Sequence, residues 1–161
     1  MQKDFLNKNI FKANDIRGIF PSEINERVVF EIALGVKNIF KRSVVVGRDA
    51  RLSSSQLYEA VLSALKHEKK IKIIEAGLVT TPAFYFLVNK YRADGGIMVT
   101  ASHNPKQYNG LKIVGKGAVP ISGTEIFELV SASPAFLSAP TSPTSSGSER
   151  LRLAPKFLLR K

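Results

Sequence analysis

Short β-branched runs alternate with segments whose apolar residues recur every three to four positions. Strands of this kind need helices packed against them, so the chain is expected to form an α/β layer. Its sheet is predicted to be mostly parallel or mixed, flanked by helices. The first helix is expected over residues 25–40, where Val28, Val29, Ile32, Ala33, Val36, Ile39 and Phe40 follow a helical period and Asn25 supplies a cap. Ser43 to Gly47 (SVVVG) reads as a buried strand. A second helix is expected from Ser53 to about His67, opened by a capping box between Ser53 and Gln56 and faced by Leu57, Val61, Leu62 and Leu65.

The alternation continues. Ile71 to Ala76 is predicted as a strand, and Thr81 as the cap of a third helix with Pro82 at its first position. Phe84, Leu87, Val88 and Tyr91 would line that helix. Gly96 to Thr100 and Leu111 to Val114 read as further strands. Ser122 and Glu125 form a second capping box, with Ile121 and Ile126 at the staple positions. The helix they open runs into Ser131-Ala132-Ser133-Pro134 after barely two turns, so it looks interrupted. In a parallel layer the loops after Gly47, Ala76 and Thr100 share the carboxyl edge, where ligands bind.

Composition changes near residue 131, dividing the chain into a domain over 1–130 and a tail over 131–161. Residues 131–148 contain 7 Ser, 3 Pro and 2 Thr and no charge, a text too poor in apolar surface to offset its ordering entropy. The tail is therefore expected to be disordered, ending in the basic, apolar ERLRLAPKFLLRK. A shifted reading frame after Val130 accounts for it better than a natural one-domain protein with a tail does.

The formal net charge is +11, and both parts are basic. That suits phosphate-bearing partners but does not separate a sugar phosphate from nucleic acid. Interleaved basic and aromatic residues are lacking, so no nucleic acid is expected. With no cysteine and two histidines, thiolate chemistry and histidine-rich metal sites are excluded. No apolar run is long enough for a bilayer, and the start of the chain lacks a secretory pattern. A cytoplasmic protein without membrane contact is the expectation. His67, among Lys66, Glu68, Lys69 and Lys70, reads as exposed.

Chemistry concentrates after the GIMVT strand. Thr100-Ala101-Ser102-His103-Asn104-Pro105 ends in a proline that bars a helix, and Asn109-Gly110 marks a tight turn. Ser, His, Asn and Lys side chains are thus projected between two fixed ends. A hydroxyl beside an imidazole suggests nucleophilic chemistry, although neighbours on a chain usually point apart. An ordinary polar turn remains the competing reading.

These residues, followed by Tyr108-Asn109-Gly110-Leu111-Lys112, resemble the active-serine loop of the α-D-phosphohexomutases, the family of bacterial phosphomannomutase and phosphoglucomutase. Phe11-Lys12-Ala13-Asn14-Asp15-Ile16-Arg17-Gly18, Val46-Gly47-Arg48-Asp49 and Thr80-Thr81-Pro82 match further family signatures in order. The D-I-R-G form favours the phosphomannomutase/phosphoglucomutase branch. The resemblance implies a first domain of that fold and transfer of phosphate between C1 and C6 of mannose or glucose phosphate. Ser102 would be the phosphoserine, and a hexose 1,6-bisphosphate the activator. It implies proton-moving roles for His103 and Lys112, a phosphate-binding role for Arg17, and support from Asn104 and Arg48. Arg17 could equally pair with Asp15, and Arg48 with Asp49. Asn14 stands where the family usually has tyrosine, which touches fine specificity.

The resemblance also implies Mg²⁺, with the Ser102 phosphoryl oxygen among its ligands. The family's aspartate-rich loop of the form D-G-D-x-D-R is absent, as are its later sugar- and phosphate-binding loops. Ser122-Gly123-Thr124-Glu125 matches the text of a distant phosphate loop, but the capping box explains it. The chain is therefore expected to lack mutase activity alone, its missing domains being its natural interface. A module that binds sugar phosphate or a partner without catalysis is the alternative; a nucleic-acid binder is the remoter one.

Overall fold

The computed structural model describes residues 6–67 and 71–134. Five strands form one mixed sheet: β1 (Ile16–Ile19), β2 (Ser43–Arg48), β3 (Lys72–Leu78), β4 (Gly95–Val99) and β5 (Tyr108–Gly115), in the order β1-β5-β4-β2-β3. β2 pairs in parallel with β3 and β4, whereas β5 runs antiparallel to both β4 and β1. The sheet is thus mixed, as a layered α/β fold allows, rather than largely parallel. The reason is the connection from β4 to β5, which returns through the serine loop without a crossover helix.

Helices cover both faces. α1 (Glu26–Val36), α2 (Ser54–Lys66) and α4 (Gly123–Ala132) cover one. α3 (Thr81–Lys90) covers the other, where Phe84 and Val88 meet Val45, Met98 and Val114. The apolar stripes of α1 and α2 are buried as their periods require: Val28, Val29, Ile32, Ala33 and Val36 on one, Leu57, Val61, Leu62 and Leu65 on the other. Asn25 caps α1, its side chain accepting from the Val28 N–H at 3.0 Å. Beyond Val36 the chain tightens into a 3-10 turn, Lys37–Ile39, instead of continuing as α-helix to Phe40.

Two helix starts differ from expectation. Ser53 precedes α2, but its backbone is helical and it makes no capping bond. Its hydroxyl accepts from the Asn109 side chain at 2.8 Å instead. The cap of α3 is Thr80, one residue earlier than expected. Thr80 is extended and accepts from the Ala83 N–H at 3.3 Å, which leaves Thr81 and Pro82 inside the first turn. Tyr91, expected on the apolar line of α3, caps its end and is 52% exposed.

α4 is not cut short. It has 10 residues and runs through Ser131 and Ala132, with Gly123, Ile126 and Val130 buried. Its capping box is complete: Ser122 Oγ accepts from the Glu125 N–H at 3.2 Å, and Glu125 Oε2 accepts from the Ser122 N–H at 3.1 Å. The capping-box reading of Ser122-Gly123-Thr124-Glu125 therefore stands. The expected tail lies outside the described residues from 135 onward. No helix among the described residues is long and apolar enough to cross a membrane.

Candidate active site

Parallel pairing sets Arg48 beside Leu78 and Val99, so the loops after β2, β3 and β4 share the carboxyl edge as anticipated. The serine loop rises from this edge between β4 and β5. Its first residue, Thr100, is buried, and its Oγ1 accepts from the Ser102 N–H at 2.9 Å. Ser102 has φ 53°, a left-handed backbone rare outside glycine. Asn104 closes the turn twice onto the Ala101 carbonyl, from its backbone N–H at 3.1 Å and from Nδ2 at 2.8 Å. The expected bracing role of Asn104 has this physical form. Ser102 is half-buried, and its hydroxyl bonds to no described residue. His103 is exposed at the loop surface.

Arg51, which the sequence reading passed over, holds the loop from beneath. Its Nη2 donates to the carbonyls of Ser102 (2.9 Å) and Asn104 (2.7 Å), and its Nη1 to those of Pro105 (2.9 Å) and Tyr108 (3.2 Å). Its Nε donates to Asp49 Oδ2 at 3.2 Å, so every guanidinium N–H is used. Asp49 in turn accepts from the Arg51 backbone N–H at 3.0 Å and from Ser54 Oγ at 2.5 Å. Asn109, fully buried at the head of β5, donates to both Ser53 and Ser54. The β2–α2 turn and the serine loop are therefore one hydrogen-bonded unit.

The alternative pairing of Arg48 with the Asp49 carboxylate is not formed. The Asp49 carboxylate binds Arg51 and Ser54, while Arg48 Nη1 donates to the Asp49 carbonyl at 3.3 Å. Arg48 stands near Tyr58 of α2, whose hydroxyl burial holds above its ordinary pKa, while the Arg48 charge opposes the rise.

Arg17 and Lys112 meet through Asp15. The β1–β5 register sets Ile16 opposite Leu111, which brings Asp15 level with Lys112. Arg17 Nε lies 3.4 Å from Asp15 Oδ1, and Lys112 Nζ lies 3.8 Å from Oδ2. Asp15 is buried, and its Oδ1 is the one buried side-chain polar atom without a hydrogen bond among the described residues. The pairing of Arg17 with Asp15 is thus formed. It also gathers two cations on the strands beside the serine loop, an arrangement able to receive a phosphoryl dianion.

Two open cavities lie away from this loop. One of about 630 Å³ lies at the opposite edge of the sheet, lined in part by Arg42, Lys72, Arg92 and Lys116. Another of about 570 Å³ is lined in part by Lys8, Lys12 and Phe127 of α4. The serine loop stands open. His67 is exposed, its ring edge-on to Phe30 at 5.8 Å, and takes no part. No group of three or more His, Asp or Glu able to hold a metal occurs among the described residues. Asp15 and Asp49, the carboxylates of this region, are engaged by cations and a serine, so the donors present do not make a magnesium site.

Residues 8–134 match the model of phosphoglucomutase/phosphomannomutase, alpha/beta/alpha domain I. A Xanthomonas campestris protein named "Phosphohexose mutases" is 39% identical over 87% of this chain and 32% of its own length. The phosphomannomutase of Vibrio cholerae is 42% identical over 70% of this chain and 26% of its own. A Burkholderia thailandensis crystal structure described as a phosphoglucomutase/phosphomannomutase family protein superposes with a TM-score of 0.66 at 36% identity, covering 77% of this chain and 29% of that one. The chain thus spans about a third or less of the length of these relatives. Since the matched stretch contains Arg17, the serine loop and Lys112, the chain belongs to the phosphoglucomutase/phosphomannomutase family, within which it corresponds to domain I.

Proposed function

We propose that this chain is the phosphoserine-bearing domain of a hexose phosphate mutase, with Ser102 as the group that carries the phosphoryl. The observation that supports this most is the serine loop itself. A half-buried serine with an unbonded hydroxyl sits in a left-handed turn on a fully satisfied scaffold, beside the cations held by Asp15. In the proposed reaction the bond from phosphorus to Ser102 Oγ breaks as one forms to a sugar hydroxyl oxygen. The hydroxyl proton leaves to a base, and Ser102 Oγ is reprotonated when it departs. His103, exposed beside Ser102, is the proposed proton carrier, with Lys112 as partner or clamp. Arg17 and Lys112 stabilise the charge spread over the phosphoryl oxygens.

The substrate class proposed is a hexose phosphate, with a hexose 1,6-bisphosphate as the form that turns around between half-reactions. Relatives named phosphomannomutase and phosphoglucosamine mutase are 42% and 40% identical to this chain, so domain I is a poor place to seek the choice of sugar. Magnesium would need carboxylates beyond those described, and no step is assigned to it. The described residues form one wall of a site, and we expect the chain alone to turn over no hexose phosphate.

The test is a graft. Residues 1–134 would replace domain I of the Xanthomonas campestris relative. The chimera should interconvert hexose phosphates, and Ser102→Ala should cut its rate at least about a thousandfold. A Ser102→Ala chimera as active as its parent would refute the role of Ser102. Turnover by the isolated chain at the chimera's rate would refute its incompetence.

A further inference from the structure

Four carbonyl oxygens of the serine loop point at one side chain, Arg51. In a trans peptide the N–H points opposite to its carbonyl. Turning the Ser102 carbonyl inward therefore turns the His103 N–H outward, and turning the Pro105 carbonyl inward does the same for Lys106. No described residue accepts from either N–H, and both residues are exposed. The Ser102 N–H and the Asn104 N–H are already used, by Thr100 Oγ1 and the Ala101 carbonyl. The loop thus has a carbonyl side, held on the Arg51 cation, and an amide side turned away from it.

We propose that Arg51 is a positioning residue for the phosphoserine: by gathering the loop carbonyls it presents the His103 and Lys106 amides as an anion-stabilising face for the phosphoryl group on Ser102. Arg51 acts through geometry more than through charge. Its guanidinium is paired with Asp49 at 3.2 Å, which cancels much of its field. Its planar fork is what reaches four carbonyls at once, and an ammonium on a flexible stem cannot reproduce it. Asp49 and Ser54 fix the fork in turn. Concave sets of outward N–H groups stabilise phosphates elsewhere in protein chemistry.

The inference rests on Ser102 being the phosphorylated group, but its test does not require transfer. Phosphoserine is installed at position 102 of the full chain during translation, and its second ionisation is followed by ³¹P NMR. The His103 and Lys106 amides are followed by ¹⁵N NMR in the same titration. The phosphoserine should ionise at least about half a unit below the usual value near 6. The two amides should move downfield with the same midpoint. Arg51→Lys and Arg51→Gln should both return the midpoint toward about 6, while Lys72→Gln, at the far end of β3, leaves it in place. An Arg51→Lys chain that behaves like the parent would show that charge suffices and overturn the geometric role. So would a parent chain with an ordinary midpoint and unmoved amides, a readout that needs no variant to fold. If the graft fails while this titration succeeds, the loop's anion face stands and the mutase reading falls; the reverse pattern leaves the mutase reading and removes Arg51 from it.

Discussion

A Cβ added to Gly35 on α1 would stand 2.9 Å from the Cα of Val130 on α4. The bare backbone of Gly35 lets Val130 approach α1 closely, which is how α4 reaches the core with only two side chains, Ile126 and Val130, buried. Gly35→Ala gains about 1 kcal/mol of helix propensity. Against that, the obstacle is backbone, and overpacking of this kind costs about 1–3 kcal/mol. A net loss of up to about 2 kcal/mol is expected, read by urea unfolding. Increased stability would show that α4 is not seated on α1.

Thr80 and Thr81 offer a test at single-residue resolution. Thr80 Oγ1 accepts from the Ala83 N–H at 3.3 Å, whereas Thr81 lies inside the helix without a capping role. Thr80→Ala should cost about 1 kcal/mol, and Thr81→Ala should stay within about 0.5 kcal/mol of the parent. Unfolding midpoints of the two variants decide it, and the reverse order would move the cap to Thr81.

How far the sequence could be read follows from the range of each interaction. The buried stripes of α1 and α2 and the box at Ser122 are local patterns, and they form as written. The Thr80/Thr81 shift is a local ambiguity, since two threonines precede one proline. Ser53 fails as a cap because Asn109, 56 residues away, donates to its hydroxyl, and no window around Ser53 contains that fact. β1 was not foreseen: four residues, Ile-Arg-Gly-Ile, are too short and too mixed to show alternation. They become a strand only because β5 pairs with them. In the same way the motif around Ser102 is readable as text, while Arg51 is not. Its partners are carbonyls 51 to 57 residues away, and backbone oxygens leave no mark on sequence.

Asp94 joins the turn before β4 to the turn before β2. Its Oδ2 accepts from the backbone N–H groups of Lys41, Arg42 and Ser43 at 3.1, 2.6 and 3.2 Å, and Oδ1 from Arg42 Nη2 at 3.1 Å. Burial works to raise its pKa, but the N–H groups of Arg42 and Ser43 and the Arg42 guanidinium outweigh it and hold the carboxyl below its ordinary value. A depressed carboxylate contributes stability that is full above the unfolded pKa, near about 3.9, and lost as pH falls through the folded value. The stability gap between parent and Asp94→Asn should therefore be widest near neutrality and should shrink below about pH 4. Urea unfolding at a series of pH values measures it. A gap independent of pH would mean that the carboxylate charge plays no part.

Tyr85 on α3 reports on the trio of Asp15, Arg17 and Lys112. Burial first, and then the negative charge of Asp15, hold its hydroxyl above the ordinary tyrosine pKa. Lys112 stands opposite Met98, which packs with Phe84 and Val88 of α3, so Lys112 and the Asp15 carboxylate it pairs with lie on the face of the sheet that α3 covers. Asp15→Asn removes the charge while keeping the size of the side chain, so the Tyr85 pKa should fall but remain above the ordinary value, because burial persists. Tyr58, raised by burial and by Glu75 and Glu59 rather than by Asp15, serves as the internal control and should not move. NMR of the two tyrosine rings through alkaline pH separates them. A Tyr85 that does not respond would place Asp15 beyond its electrostatic reach. Equal movement of both rings would indicate a general loosening of the fold. A fall at Tyr85 alone would fix Asp15 as a buried anion on the α3 face, where it can hold Arg17 and Lys112 for a phosphoryl group.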